Sequence, residues 1–116
     1  EYFYATKSGN SKISGKVLSG KNSIIGENVT IQGPAIIGEN CKINSGVVIG
    51  PNTSIGNNSI INHGNIKNSI IMENCEIDSI VKIRDSIISK NSKIIQSEKS
   101  TDEKIFLLGE GTKIYL

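Results

Sequence analysis

Isoleucine occupies positions Ile25, Ile31, Ile37, Ile43, Ile49, Ile55 and Ile61, every sixth residue without a miss. An amphipathic helix repeats at about 3.6 residues and a half-buried strand at about 2, so neither alone gives a strict six. A short period sustained this long marks a solenoid, and hexapeptide repeats mark a parallel β-helix. Each unit is then one short strand plus one corner, and three units close a triangular coil. Two residues before each isoleucine stands a small side chain: Ser23, Val29, Ala35, Cys41, Val47, Thr53 and Ser59. Residues i and i−2 of a strand point the same way. Each strand therefore sends one isoleucine and one small residue into a narrow interior, where two large ones would overpack and two small ones would leave voids.

The corners read as turn chemistry. Gly26-Glu27-Asn28, Gly38-Glu39-Asn40, Gly50-Pro51-Asn52 and Gly56-Asn57-Asn58 follow their isoleucines directly. Tight corners need residues that tolerate positive φ, first glycine and then asparagine. The abundance of asparagine thus needs no binding site to explain it.

Taken in order, residues 1–12 lie outside the repeat and read as a linker or a frayed terminal remnant, with three of the five aromatics at Tyr2, Phe3 and Tyr4. The β-helix spans 13–96. It enters at Ile13 and Leu18, with an irregular step of seven to Ile25, and after Ile61 the steps mix fives and sixes through Ile66, Ile71, Ile77, Ile83, Ile88 and Ile94. The small column persists through Gly64, Ser69, Cys75, Val81, Ser86 and Ser92, so a five-residue step means a shorter corner rather than a broken coil. Residues 97–104 read as a polar loop. Residues 105–116 read as a strand pair that packs on the prism or caps its open end, where unpaired edges would otherwise be exposed. The expected fold is all-β, a parallel β-helix of about five triangular coils with a short C-terminal strand pair.

The chain has 116 residues, one domain's worth, and a net charge of +2 with no basic run, which gives nucleic-acid binding no support. No apolar stretch is long enough for a membrane span and no signal peptide is visible, so a cytoplasmic protein is expected. The only methionine is Met72, and the chain reads as an excised piece of a longer one. Cys41 and Cys75 both take the inward small position, two coils apart. At the inter-strand spacing they lie roughly 9–10 Å from each other, beyond disulfide reach, and read as core fillers of a reducing compartment.

Candidate chemistry is sparse. His63, in Asn62-His63-Gly64, is the one candidate general base, a role its ordinary pKa suits; its alternative is a solvated corner histidine. Asp78 and Asp85 read as solvated surface, and Arg84, the sole arginine, does not read as a phosphate clamp.

Four segments share one pattern: Ile37-Gly38-Glu39-Asn40-Cys41-Lys42-Ile43, Ile49-Gly50-Pro51-Asn52-Thr53-Ser54-Ile55-Gly56, Ile66-Lys67-Asn68-Ser69-Ile70-Ile71-Met72-Glu73, and Ile83-Arg84-Asp85-Ser86-Ile87-Ile88. In that order, with the tail Leu107-Leu108-Gly109-Glu110-Gly111-Thr112-Lys113-Ile114, they resemble the C-terminal left-handed β-helix of the long form of glucose-1-phosphate thymidylyltransferase, a sugar nucleotidyltransferase. The resemblance covers about residues 13–116. Left-handedness comes from it alone and runs against the usual right-handed crossover.

It implies a parent that joins glucose 1-phosphate to dTTP with Mg²⁺, giving dTDP-glucose and pyrophosphate. Catalysis would reside in a missing N-terminal nucleotidyltransferase domain, and no catalytic, cofactor-binding or metal-binding residue maps onto this chain. The domain would then serve oligomerisation, stability or regulation. The alternative is an acetyl-CoA-dependent hexapeptide acyltransferase domain acting on an amino-sugar phosphate, with His63 as its base.

The residue between the two inward positions of each strand faces outward. On one face these are Ile36, Ser54, Ile70 and Ile87, with Val17 expected to head the column. The other faces carry Thr30, Val48, Asn65 and Lys82, and Ile24, Lys42, Ile60, Glu76 and Lys93. A contiguous apolar patch usually marks an interaction surface. Val17, Ile36, Ile70 and Ile87 are therefore the candidate interface, toward a second subunit or the missing domain, unless the C-terminal strands cover them.

Overall fold

The computed structural model describes residues 2–96, 103–104, 107–108, 110–111 and 113–115. Among them all regular structure is strand, and every strand pairing is parallel. One face stacks β3 (Val17–Ser19), β6 (Ala35–Ile37), β9 (Thr53–Ile55), β11 (Ile70–Ile71), β13 (Ile87–Ile88) and β16 (Leu107–Leu108). A second stacks β1 (Thr6–Lys7), β4 (Ile24–Ile25), β7 (Lys42–Ile43), the first part of β10 (Ile60–Lys67), the first part of β12 (Glu76–Arg84), β14 (Lys93–Ile95) and β17 (Lys113–Tyr115). The third stacks β2 (Lys12–Ser14), β5 (Thr30–Gln32), β8 (Val48–Ile49), the remainders of β10 and β12, and β15 (Glu103–Lys104). The result is a left-handed β-helix of about five turns.

The expected interior is present. Every isoleucine of the column from Ile25 to Ile88 is essentially inaccessible to solvent. Removing one such side chain from water contributes about 1.5–3 kcal/mol. Its small partners, Gly64 apart, are buried as well, and several of their hydroxyls tie coils together. Ser23 Oγ donates to Gly38 O at 2.6 Å and accepts the Cys41 N–H at 3.0 Å. Two coils further on, Ser59 Oγ donates to Met72 O and accepts the Cys75 N–H. A buried hydroxyl is costly unless paired; those of Ser23 and Ser59 pair with the adjacent coil, while Thr53, Ser69 and Ser86 donate to a carbonyl of their own corner. Cys41 and Cys75 are free and buried, and burial pushes both thiols above their ordinary pKa.

The corners also follow the sequence. Asn22, Asn28, Asn40, Asn52, Asn58, Asn68, Asn74, Asp85 and Asn91 all sit in the left-handed region, with φ between 50° and 65°. Asparagine adopts that conformation most readily after glycine.

Three expectations need correction. Residues 1–12 are not a linker: β1 pairs with β4, β2 with β5, and Phe3 bridges Ser19, so this segment lays a coil of its own against the prism. Second, the register at the entry shifts by one. Val17 and Ser19 point inward and Leu18 outward, with Val17 opposite Ala35 and Ser19 opposite Ile37. The step of seven therefore does not exist. The hexads run 13, 19, 25, and the polar Ser19 at an isoleucine position hid the register. Its hydroxyl is satisfied by the Ala5 N–H at 2.9 Å.

Third, among the described residues of the expected 105–116 strand pair, the strands do not pair with each other. β15, β16 and β17 each pair with the preceding coil, at β12, β13 and β14 respectively, so they lengthen all three faces. Of the expected 97–104 loop, residues 97–102 lie outside the described residues and Glu103–Lys104 are strand. The open edge of the last coil offers unpaired donors and acceptors, and adding parallel strands satisfies them as well as a cap would.

Candidate functional site

The outward column on the β3–β16 face begins with Leu18, opposite Ile36, and continues through Ser54, Ile70 and Ile87. Ile36, Ile70 and Ile87 are exposed at 52%, 47% and 45%, unusual values for isoleucines in the middle of a sheet. Val17, expected to head this column, is buried and belongs to the core; Leu18 takes its place. The bridge from Phe3 to Ser19 sets Tyr2, also exposed, beside Leu18 at the N-terminal end. At the other end β16 continues the same sheet past β13 and leaves Ile70 and Ile87 uncovered.

Two shallow depressions follow the column along one corner. One of about 400 Å³ lies among Asn52, Asn68, Asp85, Ile70 and Ile87. The other, of about 220 Å³, lies among Pro34, Ile36, Asn52, Ser54 and Ile70. At this corner Asn68 Nδ2 donates to Asp85 Oδ1 at 2.5 Å, and Arg84 pairs with the other carboxylate oxygen. The Asn68 hydrogen bond first, and then Arg84, hold the Asp85 carboxyl below its ordinary pKa. A depressed carboxyl adds stability above its unfolded pKa, and that stability is lost as pH falls through the folded value. Asp85 lies at the surface, so this contribution is largely screened by water.

His63 stands at a different corner, within β10. The pairing of β10 with β12 shifts register there, so that Ile61 faces Ile77 but His63 faces Asp78. The shift brings His63 Nδ1 to 2.7 Å from Asp78 Oδ1. Nothing in the local residues joins these two, since the irregularity that aligns them belongs to the pairing of two coils. The corner remains open, with the His63 side chain 62% exposed. Beside it Asn44 donates to Asn62, Asn62 to Glu76, and Lys93 lies 3.8 Å from Glu76, a polar ladder across successive coils.

Another polar arrangement escaped the sequence reading. β12 stays in strand conformation around its corner, with Ile77, Ser79, Val81 and Ile83 all inward. Gln96 Oε1 accepts from Ser79 Oγ and from the Ile80 and Val81 N–H groups, filling the angle where the backbone turns. The only signal in the sequence is a strand whose apolar alternation ignores the hexad.

Among the described residues, no three or more His, Cys, Asp and Glu side chains gather in a way that could hold a metal ion.

The sequence profile of the GMPPB C-terminal domain matches residues 31–115. No curated protein matches the chain. Among solved structures, it is similar to a variant of AntD, an N-acyltransferase from Bacillus cereus, in complex with dTDP and coenzyme A. The identity is 14%, with 92% of this chain and 80% of AntD covered, at a TM-score of 0.56. It is also similar to a variant of GDP-perosamine N-acetyltransferase from Caulobacter crescentus, in complex with CoA and GDP-perosamine. There the identity is 14%, with 90% of this chain and 50% of that one covered, at a TM-score of 0.42. At these identities the likeness is one of fold.

Proposed function

The chain belongs to the GMPPB C-terminal domain family, and from that premise we propose that it is the non-catalytic β-helical domain of a sugar-1-phosphate nucleotidyltransferase, serving assembly and stability. The match over residues 31–115 carries this reading, because it takes in most of the prism together with the strands β15 to β17 that extend it. The inward side chains are committed to packing and the corner asparagines to left-handed backbone. What remains for interaction is the outer surface. The parent reaction is the joining of glucose 1-phosphate to dTTP, giving dTDP-glucose and pyrophosphate. Substrates and Mg²⁺ would be held by an N-terminal catalytic domain, in the cytoplasm. The purified 116-residue chain, given glucose 1-phosphate, dTTP and Mg²⁺, is expected to release no pyrophosphate above a buffer control; turnover would overturn the reading.

A second reading has one observation in its favour, the contact of His63 with Asp78. A carboxylate accepting the Nδ1–H fixes the histidine tautomer and leaves Nε2 free to take a proton from a hydroxyl or amine. Acetyl-CoA would supply the acyl group. Asp78 would orient the ring, and the Asn62 and Glu76 side chains nearby could bind a polar acceptor. Calorimetry with acetyl-CoA, on wild type and His63→Ala, separates the two readings. Saturable binding together with acetyl transfer that His63→Ala abolishes would favour the acyltransferase. Absence of both leaves the assembly domain.

A further inference from the structure

Among the described residues the aliphatic column has no partner, and its surroundings are specific. Coil by coil, the corner before the face carries Lys16, Pro34, Asn52, Asn68 and Asp85, with Lys67 next to Asn68. The corner after it carries Lys21, Glu39, Asn57, Glu73 and Lys90. All of these side chains are exposed.

We propose that this face is the contact between two copies of this chain, related by a two-fold axis running parallel to the prism. The proposal rests on the assembly reading and adds the partner and its orientation. A two-fold contact uses the same patch on both partners, so the patch must complement itself. Under an axis parallel to the prism the column does so level by level, Leu18, Ile36, Ile70 and Ile87 each meeting its own mate and Ser54 meeting Ser54.

The rims decide the direction. Parallel prisms bring the corner before the face of one copy against the corner after it of the other, at the same level. Glu73 then meets the second copy's Lys67, and Lys90 meets its Asp85, whose charge Arg84 partly offsets; the unfavourable meeting is Lys21 with Lys16. Antiparallel prisms bring like corners together in reversed order. Lys21 would then meet Lys90 and Glu39 would meet Glu73, with only Lys16 and Asp85 matched. Like charges set against each other suppress the wrong pairing, and rim charges fix register more than they add affinity. Lys90 and Lys21 also have contacts within the chain, to Glu110 at 3.8 Å and over the Tyr4 ring at 6.0 Å. Both contacts leave the charge at the rim.

The stripe crosses five stacked strands, β3 to β13, about 19 Å from first to last at the inter-strand spacing.

The test uses the 116-residue chain in sedimentation and cross-linking. Cys41 and Cys75 are buried, so an introduced surface cysteine reports alone. Wild type is expected to sediment as a dimer, and Ile70→Lys with Ile87→Lys as a monomer with an unchanged circular dichroism spectrum. Under the parallel axis each position of the column faces its own mate. Ile70→Cys and Ile87→Cys should therefore each give a disulfide-linked dimer under mild oxidation. Glu73→Lys should weaken the dimer roughly three- to tenfold, and adding Lys67→Glu should restore it. The proposal is overturned by a wild type that stays monomeric at all concentrations, or by a chain whose stripe is covered only when a catalytic domain is supplied. It is also overturned if Ile70→Cys cross-links only with Ile36→Cys, the antiparallel signature, or if the charge swap fails to restore the dimer. None of these results bears on pyrophosphate release, and turnover by the chain would overturn the functional reading without touching the dimer.

Discussion

Ile49→Asn is expected to lower the unfolding free energy by roughly 3 kcal/mol or more, the sum of lost apolar burial and an amide placed where no partner can reach it. Ile49 is completely buried, one strand of the third face in the middle of the isoleucine column. The coils above and below carry Ile31 and Ile66 at the same level. An asparagine there cannot turn outward without reversing the strand, because a one-residue slip would send every inward side chain to solvent. Glu39→Ala, on an exposed corner, is expected to cost under about 0.5 kcal/mol. Denaturant melts of the two variants beside wild type decide the matter. Equal losses would show that the assignment of inward and outward positions is wrong.

Gly56→Ala is expected to cost about 2–3 kcal/mol, although glycine here has no positive φ to explain it. A Cβ at Gly56 would lie 2.4 Å from Glu73 N and 2.5 Å from Met72 C, both backbone atoms of the next coil. Those atoms are held by the inter-coil ladder and cannot swing aside as a side chain would. Gly46 is the contrasting case. Its φ is 80° and nothing lies within 4 Å of an added Cβ. Gly46→Ala therefore meets only the strain of a left-handed alanine, about 1 kcal/mol. The melting midpoints of the two variants should fall in that order. Should Gly46→Ala prove the more damaging, coil spacing at the Gly56 corner is loose and close packing between corners does not limit the prism.

The two glycines mark a boundary in what can be read from residues. Gly38, Gly50 and Gly56 share one sequence context, an isoleucine followed by a corner, and positive φ is the ready explanation for all of them. In the fold the positive φ falls two residues later, on the asparagines Asn40, Asn52 and Asn58. Gly38 and Gly56 are needed because the neighbouring corner passes so close. No local pattern distinguishes these two reasons, since one is a property of a residue and the other of the gap between coils.

The entry and the tail show a similar division. The hexad predicted the core from Ile25 onward because each position there has the expected chemistry. It failed at Val17–Ser19, where a serine holds an isoleucine site and a leucine stands beside it. Apolar character pointed to Leu18; pairing with Ala35–Ile37 placed Val17 and Ser19 inside. Residues 1–12 and the strands after residue 102 carry too little repeat to be recognised as coils. They become coils because the edge of a parallel stack binds any chain that can follow it.

The sequence by itself determined the solenoid, its inward column, its asparagine corners and the free state of both cysteines, because a strict period of six assigns each of these one position at a time. Only the tertiary structure decided that His63 meets Asp78, that Gln96 fills the β12 corner, and that Leu18 rather than Val17 heads the exposed stripe. Each of these depends on which residue of one coil lies opposite which residue of the next, and that register is set by the stacking of coils, where a bulge or a substituted core position shifts it without any mark in the local sequence.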